Sequence, residues 1–153
     1  MKKTLAQSLI TKKRLAQKIS DVGSDIQAYN STAADQDREV DVRELDTEKT
    51  KLINEMIELK LKIFEATAPI RRQILEIGEL KAEISFLKNL DTKRGKRREG
   101  SAFREGAVVE YDAIITKAEV DSRTSELQKK IDLTQQKIDN HNRETEINVE
   151  TDL

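Results

Sequence analysis

Apolar residues recur every three or four positions through the middle of the chain. Eight of nine positions on this line are apolar: Val42, Leu45, Lys49, Leu52, Met56, Leu59, Ile63, Ala66 and Ile70. This spacing is typical of a long helix that packs against another helix. A second line follows at Ile70, Gln73, Ile77, Leu80, Ile84 and Leu87, and Pro69 lies between the two. The sequence therefore predicts two long amphipathic helices, 42–66 and about 69–90, joined near 67–69.

Two further helices are predicted, one on each side of this central pair. The first, from about Lys3 to Tyr29, has its line at Leu5, Ser8, Lys12, Leu15, Ile19, Val22, Ile26 and Tyr29. The fourth, from Lys117 to about Asn140, has a thinner line at Val120, Thr124, Leu127, Ile131, Thr134 and Ile138. The expected N-terminal caps of the second, third and fourth helices are Asp41, Thr67 and Thr116.

The helical pattern is lost in two internal segments and at the end of the chain. Residues 30–40 and 92–116 are predicted loops, and the β-branched run 107–115 predicts one short strand or extended arm. Residues 144–153 are acidic, and we expect a loose tail there. We therefore predict an all-α protein of antiparallel helical hairpins. It would be a single domain over 1–153, a coiled-coil-like bundle of four long helices with one short β arm.

The composition supports narrow helical pairs and excludes several classes of protein. Charged residues make up 37% of the chain and hydrophobic residues 36%, so each helix buries one line and leaves the rest in water. The net charge of −1 excludes a global field that would attract nucleic acid or anionic lipid. The absence of cysteine excludes disulfides and thiol chemistry. No apolar run reaches membrane-spanning length, and no cleavable signal is recognisable, so we expect a cytoplasmic protein.

One segment of the predicted loop is strongly basic. It places five cations within six residues: Lys93, Arg94, Lys96, Arg97 and Arg98. One interpretation is an anion-binding site for nucleic acid, a phosphate ligand or a lipid surface. The other is a solvated loop that pairs with the acidic tail or with a neighbouring subunit, which is the more common role of such runs.

No catalytic, metal or cofactor site is predicted. His141 is the only histidine, and Ile138 stands where a di-iron helix pattern would need Glu. Its expected place is the last turn of a helix, near the negative end of the dipole. The carboxylates alternate with Lys and Arg, and no Gly-rich phosphate loop is present. Phe64 and Phe86 are expected to pack in the core. We therefore expect a protein that is not an enzyme and has no small-molecule substrate.

The second helix carries another set of apolar residues beside its main line. We call this set the apolar line; it consists of Ile53, Ile57, Leu61 and Phe64. The third helix likewise adds Ile74, Phe86 and Leu90. If the apolar line stays uncovered, it forms a patch that monomers rarely expose, and a homo-oligomer of even order would bury it. The alternative is that the first helix covers the line and the monomer is complete.

The order of the elements and the end of the chain resemble the septicolysin-like family of small, uncharacterised helical bacterial proteins. The matching stretches are Glu119-Val120-Asp121 and 142–147, where the family has a Val-Asp-like helix start and an ending close to Asn-Trp-Thr-Thr-Glu-Leu. The chain departs at Arg143 and Glu144, where the family has Trp and Thr. The resemblance covers nearly the whole chain and implies long helices joined by a basic linker.

These observations favour a non-enzymatic structural or protein-interaction protein that self-associates through its helices. One alternative is a module that binds nucleic acid or another anionic ligand through residues 93–98. Another, suggested only by the name of the family, is a membrane-active, cytolysin-like protein; the lack of cysteine gives a thiol-dependent pore no support.

Overall fold

The computed structural model describes residues 1–100 and 106–150, and most of these residues are helical. This confirms the mainly helical prediction. Within the described ranges the α-helices are α1 (Leu5–Tyr29), α2 (Val42–Ala66), α3 (Arg71–Asn89) and α4 (Lys117–Glu144). A short 3-10 turn, Ala68–Ile70, lies between α2 and α3. The strands are β1 (Lys2–Thr4), β2 (Gly95–Arg98), β3 (Val108–Tyr111) and β4 (Glu146–Asn148).

The helix ends confirm two of the three predicted caps. The Asp41 carboxylate accepts the backbone N–H groups of Arg43 and Glu44, and the Thr116 hydroxyl accepts that of Glu119. Thr67 does not cap α3, because its hydroxyl donates backwards to carbonyl oxygens in the last turn of α2. The Ile63 carbonyl also accepts the Thr67 backbone N–H at 2.9 Å, so the hydroxyl adds a second bond at this helix end.

The prediction of one β arm is wrong, because the described residues contain two antiparallel pairs of strands. Strand β3 coincides with the β-branched run, and it pairs with β2, whose sequence Gly-Lys-Arg-Arg lies in the predicted loop 92–116. Backbone hydrogen bonds form this ladder, so a strand of exposed cations gives no apolar signal in the sequence. Residues 101–105, also part of the predicted loop, lie outside the described residues.

The acidic tail is not loose between Glu146 and Val149. Strand β4 pairs with β1, with Lys3 opposite Ile147. The N-terminal ammonium group of Met1 donates to the Val149 carbonyl at 2.9 Å, and the Val149 N–H donates to the Met1 carbonyl at 2.8 Å. Val149 is only 2% exposed. The two terminal strands are therefore joined and packed, while residues 151–153 lie outside the described residues.

The chain divides into two compact units. Unit 1 comprises Met1–Arg71 together with Ile138–Leu153, and unit 2 comprises Arg72–Lys137. The single domain over 1–153 therefore stays a prediction.

Unit 1 is built on the contact between α1 and α2. The two helices run antiparallel, since α1 begins beside β4 and α2 ends beside it. The predicted line of α1 is correct except at one position, where Thr11 is buried in place of Lys12. A threonine hydroxyl costs less to bury than an ammonium group, and the Thr11 hydroxyl accepts a hydrogen bond from Lys3. The buried core consists of Leu5, Leu15, Val22, Leu52, Met56, Leu59, Ile63 and Val149.

Unit 2 contains most of α3 and α4, which also run antiparallel. Glu83 pairs with Arg123 at 3.1 Å, and Glu76 pairs with Lys130 at 2.7 Å. A step of seven residues back along α3 thus matches seven residues forward along α4, which defines the direction. The hydrogen bond from Lys130 holds the pKa of Glu76 below its ordinary value. The buried positions lie on the predicted lines and include Ile77, Leu87, Val120, Ile131 and Thr134.

Candidate functional site

Helix α2 has two apolar faces, and unit 1 covers only one of them. The core face, which packs against α1, consists of Leu52, Met56, Leu59 and Ile63, and these side chains are at most 8% exposed. The apolar line lies on another side of the helix and remains 41–59% exposed. The alternative in which α1 covers the apolar line is therefore wrong. The candidate functional site is this uncovered line, Ile53, Ile57, Leu61 and Phe64.

The exposed area of the apolar line can be compared with the area of a protein interface. Four half-exposed side chains of this size present on the order of 400 Å², which is within the range of the largest patches on monomeric proteins, often functional ones. A standard protein interface buries roughly 800 Å² on each partner. The apolar line is therefore large enough to be the centre of an interface and too small to be all of it.

Phe64 ends the apolar line and is held in place from the following turn. The guanidinium carbon of Arg71 lies 3.8 Å from the centre of the Phe64 ring, and Arg71 Nη2 donates to the Phe64 carbonyl oxygen at 2.7 Å. The ring is nevertheless 59% exposed, so the prediction that Phe64 packs in the core is wrong. Arg71 fixes the orientation of an aromatic ring that faces outwards, which lowers the entropy lost when a partner covers it.

Unit 2 also exposes apolar side chains, but they form no comparable line. Phe86, predicted to be in the core, is 56% exposed, and Ile74 is 44% exposed. These two are twelve residues apart on α3, and the positions between them at i+4 spacing are Gly78 and Ala82. The exposed apolar surface of α3 is therefore interrupted, whereas that of α2 is continuous.

The basic segment lies on and just before the β2–β3 ribbon. Lys93 is engaged within the chain, since its ammonium group lies 3.1 Å from the Asp91 carboxylate and 5.4 Å from the centre of the Tyr111 ring. The pKa of Asp91 is lowered, first by the hydrogen bond from the Lys93 backbone N–H and then by that from its side chain. The other four cations, Arg94, Lys96, Arg97 and Arg98, are exposed.

The register divides the strand cations between the two faces of the ribbon. Lys96 lies opposite Glu110 and Arg98 opposite Val108, whereas Arg97 lies opposite Val109 on the other face. The sequence identified these cations, but it did not identify the strand that carries them. They are therefore spread over both faces instead of converging on one point.

The acidic tail forms its ion pairs within unit 1. Glu146 pairs with Lys2 at 3.8 Å, and Glu150 pairs with Lys62 at 3.2 Å. Both pairs are largely exposed and contribute little stability by themselves. They place the tail carboxylates along β1 and α2, so these two groups have partners other than the cations of residues 93–98.

His141 has a structural contact. It lies in the last turn of α4, as predicted, although α4 continues to Glu144. Its Nε2 lies 2.8 Å from the carbonyl oxygen of Ala66, so this nitrogen donates a hydrogen bond to the end of α2. In the described ranges, no three His, Asp or Glu side chains are grouped closely enough to hold a metal ion.

Comparisons of the chain with protein-family models, with curated proteins and with solved structures find no match in any of the three. The septicolysin-like family therefore remains a resemblance. Within the described residues, none of the helices combines the length and the apolar character needed to cross a membrane.

Proposed function

We propose that this chain is a non-enzymatic structural or protein-interaction protein that associates with itself through the apolar line of α2. The observation that carries the proposal is the exposure of Ile53, Ile57, Leu61 and Phe64, at 41–59%, in a unit whose core is already closed. A second copy offers an equally uncovered apolar surface, and a two-fold contact buries both at once. In this proposal the packing is of the coiled-coil type, and the protein acts in the cytoplasm.

The two carboxylates with clearly shifted pKa values, Glu76 and Asp91, both lie at the surface. The pKa values of Glu76 and Asp91 are both lowered by a lysine partner. A carboxyl group that works as a general acid near neutral pH needs a raised pKa, which comes from burial or from a like charge nearby. The shifts at these two groups therefore have the sign of surface ion pairing.

Replacing Ile57 with glutamate tests the self-association. We expect the native chain to show a multiple of its 17.5 kDa mass by light scattering at micromolar concentration, and Ile57→Glu to shift it to 17.5 kDa. Ile57 is half exposed, so the substitution leaves the folded unit itself almost unchanged, within about 0.5 kcal/mol. The charge would be buried without a partner only in the oligomer, which would dissociate.

The matched control is Ile10→Glu on α1, because Ile10 is 55% exposed and lies outside the apolar line. We expect this variant to keep the native mass. A native chain that is monomeric over the whole concentration range would refute the proposal, and so would an Ile57→Glu variant that associates as the native chain does.

A second candidate function, nucleic-acid binding, is favoured by one observation. Lys96, Arg97 and Arg98 are exposed on a two-stranded ribbon, and such a ribbon fits the major groove of duplex DNA. With three phosphate contacts, the association constant would fall steeply as salt is added, in proportion to the salt concentration raised to roughly the power −2.7.

This candidate predicts that replacing Lys96, Arg97 and Arg98 together by alanine abolishes salt-sensitive binding to a labelled DNA duplex. The matched control removes three cations from α1, by replacing Lys12, Lys13 and Arg14 with alanine. Equal losses in the two triple variants, or no binding by the native chain at low salt, would exclude the ribbon as a nucleic-acid site.

A further inference from the structure

The uncovered side of α2 can be assigned to heptads from Thr47 to Phe64, with polar a and d residues in the first half and apolar ones in the second. If Thr47, Asn54 and Leu61 are assigned to a positions, Thr50, Ile57 and Phe64 fall on d positions. All six of these side chains are exposed. The a and d positions of a heptad form the line along which two helices meet in a coiled coil.

The assignment places unit 1 on the far side of the helix. The core face residues Leu52 and Leu59 fall on f positions, and Met56 and Ile63 fall on c positions. The f position lies opposite the a and d line of a heptad. A partner helix seated on the a and d positions would therefore meet α2 on the side away from α1.

The positions that flank the line carry complementary charges. Asp46 and Lys60 fall on g positions, and Lys51 and Glu65 fall on e positions. Between them, Ile53 of the apolar line falls on g and Glu58 on e, so this middle pair has no opposite charge. In a parallel pair of helices, a g residue faces the e residue five positions later on the partner helix. Asp46 would face Lys51 of the partner subunit, and Lys60 would face Glu65 of the partner subunit. None of the four has an ion-pair partner in the part of the chain that the structure describes.

An antiparallel arrangement of the same line is electrostatically worse. Centred on Ile57 and Leu61, it brings each flank against the same flank of the partner. Lys51 then still faces a Glu65, but Glu58 approaches its own copy and Lys60 approaches its own copy. Like charges in contact oppose association. The parallel arrangement also places polar Thr47, Thr50 and Asn54 against their own copies, and a single Asn at an a position is a known determinant of register.

We infer that two copies of this chain pair through α2 as a parallel, in-register coiled coil, with ion pairs from Asp46 to Lys51 and from Lys60 to Glu65 across the contact. The inference rests on the self-association proposed above and adds its direction, register and charge contacts. Leu at an a position with Ile at d favours higher orders in other coiled coils, so the measured mass tests the two-stranded form: we expect twice 17.5 kDa, and four times that mass would overturn the pairing of two copies.

A charge-swap series tests the direction. Lys60→Glu alone and Glu65→Lys alone each replace two symmetry-related attractions with repulsions, so we expect each to weaken association about tenfold. The double variant restores opposite charges across the contact, and we expect its dissociation constant to return to within about twofold of the native value. Residues five positions apart do not face each other on one helix, so the rescue cannot arise within a chain.

A single cysteine gives a second readout, because the native chain has none. Thr50→Cys places one thiol on a d position among the polar a and d residues, where no apolar contact is lost. In the parallel arrangement the two thiols meet, and we expect a disulfide-linked dimer under mild oxidation. In the antiparallel arrangement the two Thr50 positions lie about 25 Å apart, far beyond the reach of a disulfide.

The outcomes separate this inference from the proposed function. A native chain that is monomeric at every concentration overturns both. A native oligomer whose double variant is no tighter than the weaker single variant, and whose Thr50→Cys form does not cross-link, overturns the parallel register alone. Rescue together with cross-linking supports both.

Discussion

Replacing Val149 with aspartate is expected to lower the free energy of unfolding of unit 1 by about 3 kcal/mol, the usual cost of burying an unpaired charged group. Val149 is 2% exposed and packs in the same core as Leu5 and Leu59. Its carbonyl and N–H groups both bond to Met1, so the carboxylate cannot turn outwards without breaking these bonds. Urea denaturation followed by circular dichroism measures the change.

The control is Asn148→Asp, one residue earlier on β4. Asn148 is exposed and lies opposite Lys2, so a carboxylate there remains in water beside a cation. We expect its free energy of unfolding to stay within about 0.5 kcal/mol of the native value. If Val149→Asp were equally harmless, the terminal strands would not belong to the core of unit 1.

The helices could be predicted from the sequence because their information is local and periodic. The bounds of α2 were predicted at Val42 and Ala66, since a side-chain cap precedes the first residue and an apolar line runs the whole length. The substitution of Thr11 for Lys12 in the core of α1 is a choice between adjacent residues. It depends on the cost of burying an ammonium group, which spacing alone does not include.

Most of the strands could not be predicted in the same way, because β1 and β2 have no large apolar residue and β4 has only Ile147. Strand β1 has the sequence Lys-Lys-Thr and β2 has Gly-Lys-Arg-Arg. Such strands are held by backbone hydrogen bonds to another segment, which for β2 is the nearby strand β3. In the case of β1 and β4, the two segments are at opposite ends of the described chain. The burial of Val149 follows from that distant pairing and has no local signal.

The candidate site was predictable in part. The sequence identified the four residues of the apolar line, but it left open whether α1 covers them. The answer depends on the rotation of α2 about its own axis. In the structure the core face is turned towards α1 and is buried, which leaves the apolar line exposed. The exposure of Phe64 shows the limit of spacing alone, since an aromatic ring at helical spacing was expected to be buried.

Leucines 59 and 61 of α2 offer the sharpest test of the two faces, because the same substitution can be made two residues apart. Leu59 is 3% exposed, and Leu61 is 50% exposed. We expect Leu59→Ala to lower the free energy of unfolding by 2–5 kcal/mol at every protein concentration, since it leaves a cavity in the core, whereas Leu61→Ala should change the folded monomer by less than about 0.5 kcal/mol.

The two variants should also differ in their dissociation constants for self-association, which light scattering over a concentration series measures. Leu61→Ala removes an apolar contact from the interface of the two copies, so its dissociation constant should rise by about tenfold, while its unfolding at high dilution should match that of the native chain. Leu59→Ala should show the reverse, with lower stability at high dilution and nearly native association while folded. If both variants lost the same stability at high dilution, α2 would bury both faces within one chain, and the apolar line would not be available to a second copy.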